Sequence, residues 1–221
     1  MKILTLSCLA FLLYSCNSIF RPYPCGPALK EDQIQIFKRV NDFIDLKAGD
    51  VFADVGASSG YYTAAMAVFV DSVDFYIQDI DRNCLNDKNV KRVLKYFSRF
   101  TEQSLDQTNR FHIVLGSEKQ TNLPISAFDK IYSNATYHVL EYPDEMIRNL
   151  QDILKPDGHL YIRDEFVYKD ELKFCDNKKC KRELPRYESF IELMNHNGFD
   201  LAGQSNDFGS YPIYKFSKRQ L

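Results

Sequence analysis

The stretch that most restricts what this chain can fold into is Val51–Thr63, VFADVGASSGYYT. Five residues of strand character end in a turn of Gly, Ala and Ser, and an Ala-rich helical pattern starts at Gly60. A strand that passes through a tight turn straight into a helix is the first half of a parallel βαβ unit. Gly56 and Gly60 permit positive φ and close approach of a ligand to the backbone. Amides at the start of the following helix favour an anionic group. The turn has neither the Gly-Lys-Ser/Thr ending of a P-loop nor the GxGxxG spacing of dinucleotide binders. Its distinguishing residue is Asp54, an acid at a strand end, which is costly to bury unless a cation or backbone amides partner it.

The rest of the chain continues the alternation. Ile34, Phe37, Val40 and Ile44 recur at spacings of three and four and predict a helix over Glu31–Leu46. Strands are expected at Val51–Val55, Val73–Gln78, Phe111–Leu115, Phe128–Tyr132 and Leu160–Phe166. Helices are expected at Gly60–Phe69, Val90–Phe100, Asp144–Leu154 and Arg186–His196. Two strand-like pieces, near Leu201 and over Tyr211–Phe216, close the chain. Strands alternating with helices predict a parallel sheet covered on both faces, in one domain over 31–221. In such a sheet the ligand lies at the carboxyl ends of the strands, near the point where strand order reverses. With 17 Phe and 14 Tyr among 221 residues, the chain buries too much apolar surface to be disordered. A net charge of −2 excludes a polybasic nucleic-acid binder, so no nucleic-acid partner is expected.

The first residues read differently. Lys2 precedes an apolar run from Ile3 to Leu13, too short for a bilayer core of roughly 30 Å but of the length of a secretory signal. Leu13-Tyr14-Ser15-Cys16 resembles a bacterial lipobox, in which the Cys is lipidated and becomes the first residue. Residues 1–15 are therefore expected to be a lipoprotein-type signal peptide. Residues 16–30, with three Pro and a Gly between Asn17 and Pro27, are expected to be a tether. This reading puts the protein in the bacterial cell envelope, held at the membrane by a lipid on Cys16. If the run is instead an ordinary N-terminal helix, the protein is cytoplasmic.

Four segments together resemble the class I S-adenosylmethionine-dependent methyltransferases. Asp54–Gly60 matches the family's first motif (acid, apolar, Gly, x, Gly, x, Gly), with Ser58 at the middle Gly. Tyr76-Ile77-Gln78-Asp79-Ile80 ends a second strand in an acid about 20 residues later. Asn122-Leu123-Pro124 before Ala127-Phe128-Asp129-Lys130-Ile131 is similar to the entry to strand four. Ile153-Leu154-Lys155-Pro156-Asp157-Gly158-His159-Leu160 is similar to the turn before strand five, with Asp157 at its first Gly. The resemblance covers about 45–167. It implies a Rossmann-like three-layer α/β sandwich with a mostly parallel seven-stranded sheet and an antiparallel strand near the C-terminus. It also implies S-adenosylmethionine as cofactor, held by Asp54, Gly56, Ser58, Gly60, Asp79 and Ile80, with Asp79 on the ribose hydroxyls. Gly60–Thr63 and Thr136–Pro143 further resemble predicted bacterial methyltransferases that carry export signals.

Methyl transfer from a sulfonium needs positioning and exclusion of water, and a base only where the acceptor must lose a proton. His138 and Glu141, just beyond strand four, are the candidate catalytic residues toward a small-molecule acceptor. Tyr137, Asp164, Glu165 and Glu118 lie at neighbouring strand ends. An alternative reading is a non-catalytic exported lipoprotein that binds a nucleoside-like or other small ligand on the same scaffold. Cys175 and Cys180, with four residues between them in a charged insertion, lack a second ligand pair and so do not form a zinc site. In an oxidising compartment they are expected to form a local disulfide that pins the loop over about 169–184 near the acceptor. Cys25 and Cys84 receive no role.

Overall fold

The expected strands form at Val51–Val55 (β1), Asp74–Asp79 (β2), Arg110–Leu115 (β3), Phe128–Asn134 (β4), Leu154–Arg163 (β5), Phe199–Ser205 (β6) and Ile213–Lys218 (β7). The computed structural model describes residues 25–26, 31–168, 171–175, 182–208 and 211–219. In it the strands build one sheet of order β3-β2-β1-β4-β5-β7-β6. β1 to β5 pair in parallel, with Asp54 level with Ile77 on one side and with Tyr132 on the other. β7 is antiparallel to both β5 and β6. Strand order reverses between β1 and β4, so the loops leaving their carboxyl ends diverge and open a crevice there.

Helices α1 (Gln35–Ile44), α2 (Tyr61–Ala67), α3 (Asp87–Phe97), α4 (Leu105–Thr108), α5 (Pro143–Ile153) and α6 (Tyr187–His196) complete the layers. Side chains alternate along each strand. Phe52, Phe75, Ile77, Tyr132 and Tyr161 face the side packed by α1, α2 and α3, with Phe37, Ile44, Met66, Val93 and Phe97 opposite them. Ala53, Val55, Ile131, Leu160, Ile162 and Phe216 face α5 and α6, against Ile147, Leu150, Phe190 and Met194. Each such large side chain contributes about 1.5–3 kcal/mol on burial. α3 buries Val90, Val93, Leu94 and Phe97, and Asn86 caps it by accepting the amide of Asn89 at 3.1 Å.

Two local expectations change. The turn read over Leu154–Leu160 is the first part of β5: Leu154 pairs with Phe128 and His159 with Lys130, so the intervening residues bulge opposite Asp129. Lys155 Nζ closes the bulge at 2.8 Å from both Asp129 carboxylate oxygens. The helix read to Phe100 ends at Phe97, and its last turn tightens into a 3-10 turn over Ser98–Phe100. At the other end of the sheet, the buried Lys130 ammonium pairs with the buried Asp50 carboxylate. No helix among the described residues is long and apolar enough to cross a membrane.

Candidate functional site

The crevice is built by two exits. At the end of β1, the amides of Gly56 and Ala57 both donate to the carbonyl of Gln78, at 3.0 and 2.9 Å, which ties this exit to the end of β2. Gly56 has φ +77, and a Cβ there would lie 2.1 Å from Thr136 Oγ1. Glycine is therefore what lets the loop after β4 rest on the loop after β1. Gly60, at φ +78, caps α2, and a Cβ would meet Ile77 Cδ1 at 2.9 Å. Ser58 (φ 55) and Ala135 (φ 51) also adopt left-handed backbone, on opposite walls of the crevice. Each costs on the order of 1 kcal/mol, and such strain persists where the surroundings fix the conformation, as at ligand sites.

The two acids have different surroundings. Asp54 is fully enclosed, and burial pushes its carboxyl up to about 7, against the lowering effect of the Thr63 hydroxyl, which donates to Oδ2 at 2.6 Å; the nearby Asp79 charge adds to the rise. Among the described residues no cation pairs with it. Asp79 sits at the rim, where Oδ2 accepts the amide of Ser58 at 2.6 Å and Oδ1 accepts that of Asp81 at 2.8 Å. Both oxygens retain a lone pair, so the carboxylate can accept two adjacent hydroxyls. Ile80, half exposed, follows as an apolar surface. Between these walls lies a cavity of about 320 Å³ lined by Gly56, Asp79, Ile80, Glu118, Thr136 and Glu141, among others. That is within the range of small-ligand sites, about 300–1,000 Å³.

The two candidate catalytic residues are separated. Glu141 lines the cavity, but its carboxylate pairs with Arg182, whose guanidinium also donates to the carbonyls of Val139 and Leu140 at 3.3 and 3.2 Å. His138 turns the other way, to Asp164 (26 residues later and 1% exposed), whose carboxylate accepts both the His138 amide at 3.1 Å and ring Nδ1 at 2.7 Å. The hydrogen bond to Asp164 raises the imidazole pKa above its ordinary 6.5, against the lowering effect of burial. With Nδ1–H donating, Nε2 is the nitrogen that titrates. Tyr137 is buried against Phe166 and Phe190, with ring centroids at 5.6 and 4.7 Å, and Glu165 pairs with Lys173.

Of the expected cofactor residues, Gly56, Asp79 and Ile80 line the cavity together with Glu141. Ser58 reaches it only through its amide on Asp79, Gly60 caps α2, Asp54 is buried on Thr63, and His138 belongs to a neighbouring cluster. Cys16 and Cys180 lie outside the described residues. Cys175 is disulfide-bonded, and Cys25 bonds to Cys84 with 5.7 Å between Cα atoms. The contributions of Thr136 and Arg182, and the Cys25–Cys84 bond, were not read from the sequence; only the two unassigned cysteines were a signal.

Residues 53–160 match the family model of a methyltransferase domain. Over that segment the chain carries a methyltransferase domain. Its fold is shared by an S-adenosylmethionine-dependent methyltransferase of Aquifex aeolicus, at 18% identity and TM-score 0.62, covering 85% of this chain and 92% of that one. A Burkholderia thailandensis 1,6-didemethyltoxoflavin-N1-methyltransferase, with bound 1,6-didemethyltoxoflavin and S-adenosylhomocysteine, superposes at TM-score 0.60 with 14% identity over 86% and 80% of the two chains. The [4+2]-cyclase SpnF has the same fold, at TM-score 0.64 and 15% identity over 84% and 80%. No curated protein has a matching sequence. In this fold ligands bind at the carboxyl ends of the strands, beside the reversal of strand order between β1 and β4.

Proposed function

We propose that this methyltransferase holds S-adenosylmethionine in the cavity between β1, β2 and β4 and passes its methyl group to a small-molecule acceptor. The observation that carries this reading is Asp79, fixed at the cavity rim by two backbone amides with a free lone pair on each oxygen. That arrangement suits the vicinal hydroxyls of a ribose. Ile80 offers an apolar face to the adenine ring, and Gly56 and Ala135 line the same cavity. The buried Asp54, with no cation partner among the described residues, favours a positively charged ligand nearby. The cofactor supplies an activated methyl on a sulfonium. The chain's own residues then bind, orient and dry the site; no covalent step on the protein is needed. His138 lies in the neighbouring cluster with its Nδ1–H held by Asp164, outside the residues that line this cavity. Glu141, tied to Arg182, acts in the wall of the cavity rather than as an unpaired base.

Calorimetric titration of the purified protein with S-adenosylmethionine and S-adenosylhomocysteine tests the reading. Saturable binding that Asp79→Ala weakens about tenfold or more is expected, since a lost charge-assisted pair is worth about 1.5–3 kcal/mol. No binding of either compound would retire it and favour the non-catalytic alternative.

We also propose that the protein is exported and anchored through a lipid on Cys16. The Cys25–Cys84 bond supports this, because disulfides persist in oxidising compartments. Metabolic labelling with a radioactive fatty acid should mark the wild type and leave Cys16→Ala unlabelled; equal labelling of both would refute the anchor.

A further inference from the structure

The Cys25–Cys84 bond joins three pieces of chain around the cofactor site. Cys84 lies in the turn that follows Asp79, where its amide donates to the carbonyl of Asp81 at 3.1 Å and Leu85 donates to the same carbonyl at 2.8 Å. Asp81 in turn donates its amide to Asp79 Oδ1. On the other side, the carbonyl of Cys25 accepts the Ser58 hydroxyl at 3.0 Å. Ser58 is the left-handed residue whose amide holds Asp79 Oδ2. Both oxygens of Asp79 are therefore fixed by segments that the disulfide ties together: one through Ser58 and Cys25, the other through Asp81 and the turn carrying Cys84. The bond closes a separation of 59 residues and ties Cys25 to the turn that follows β2.

We propose that Cys25 and Cys84 are positioning residues of the cofactor site, and that reduction of their bond releases the Ser58 side of the Asp79 clamp and lowers cofactor affinity. The inference rests on the cofactor reading above. Cys25 is exposed and Cys84 half-buried, so a dithiol can reach the bond. In the exchange, a dithiol reductant attacks one sulfur and the other leaves as thiolate. The reductant's second thiol then completes its own disulfide, so two electrons and two protons pass to Cys25 and Cys84. The Asp79 carboxylate and the residues lining the cavity remain in the chain. The effect is a loss of preorganisation, which raises the cost of binding.

The test is calorimetric binding of S-adenosylhomocysteine to the oxidised full chain, to the same chain after a dithiol reductant, and to Cys25→Ser/Cys84→Ser. The double variant separates this bond from the one at Cys175. The expected result is a weakening of about tenfold, or about 1.4 kcal/mol, in both the reduced chain and the double variant. Affinity should return when the reduced chain is reoxidised. Far-UV circular dichroism and a cooperative thermal transition in the double variant exclude simple unfolding. Should the variant fail to fold, Ser58→Ala, which removes the hydroxyl bonded to Cys25 but leaves the disulfide, should weaken binding in the oxidised chain and make it insensitive to reductant. Equal affinity in all forms overturns the clamp while leaving the cofactor reading intact. Failure of the oxidised wild type to bind overturns both.

Discussion

Asp54→Asn offers the sharpest test of the buried acid. In the folded protein burial raises the carboxyl from 3.8 to about 7, while the Thr63 hydroxyl partly offsets the rise. Below pH 3.8 the group is protonated in both folded and unfolded chains and contributes nothing to pH dependence. Between pH 3.8 and about 7 the unfolded chain ionises while the folded one stays neutral. The folded state then binds more protons, and stability falls as pH rises. At about 1.4 kcal/mol per pH unit, the loss accumulates to about 4 kcal/mol by pH 7 and then levels off. Asparagine keeps the shape and can still accept from Thr63, but it does not titrate. Urea unfolding of both proteins from pH 4.5 to 8 should therefore show the variant gaining on the wild type through this window, with no further gain above it. All other titrating groups are common to both chains and largely cancel in the difference. A cation seated near Asp54 would oppose the effect, so binding of S-adenosylmethionine near pH 6.5 should release protons from the wild type and fewer from the variant. Calorimetry in buffers of different ionisation enthalpy reads that difference. A stability difference that stays flat from pH 4.5 to 7.5 would refute the argument.

Gly56→Ala should cost about 2–4 kcal/mol, from left-handed backbone and overlap with Thr136, or roughly 5–15 °C in melting temperature. Adding Thr136→Gly should recover about 1 kcal/mol or more of that loss, read by thermal denaturation of the full mutant cycle. Asp164→Asn should lower the His138 pKa toward 6.5, followed by its imidazole proton resonances. Because the folded pKa is raised, the pair's contribution is fully present below pH 6.5 and is lost as pH rises through the folded value. The variant should thus lose more stability at pH 5.5 than at pH 8.5 in urea unfolding. Arg182→Ala should change global stability by less than about 1 kcal/mol, since its ion pair is exposed. It should nevertheless speed amide exchange across residues 139–142, as measured by mass spectrometry, because the guanidinium no longer secures the two carbonyls there.

What could be read from the sequence is what the chain encodes locally. Asp54, Gly56, Gly60 and Asp79 stand at strand ends, and both the strands and their ends follow from apolar runs and small-residue turns. Contacts between distant segments leave no such trace. Thr136 lies eighty positions beyond the Gly56 it presses on, and Arg182 reaches back forty-one to Glu141. The choice His138 makes, toward Asp164 and away from the cavity, is set by a residue 26 positions later on a different strand exit. Spacing drew attention to Cys175 and Cys180, which are neighbours in sequence. The bond beside the crevice joins Cys25 to Cys84, a pairing that only the folded β2 exit can specify. Ser58 could be seen to replace a glycine, but not to adopt the left-handed conformation of one.

The placement of β7 between β5 and β6 bears on how this chain assembles. Order of synthesis and order of assembly differ: β6 emerges first, yet among the described strands its one neighbour is β7, which follows it. β6 therefore has no sheet to join until the ribosome has released residues to about Lys218. Until then the edge of β5 is unpaired, with Leu160, Tyr161 and Ile162 beside it, and is open to strand addition by another chain. A nascent chain stalled before Ile213 should thus show native-like pairing from β3 to β5 and a tendency to aggregate, and β7 ends that tendency by closing the edge of β5.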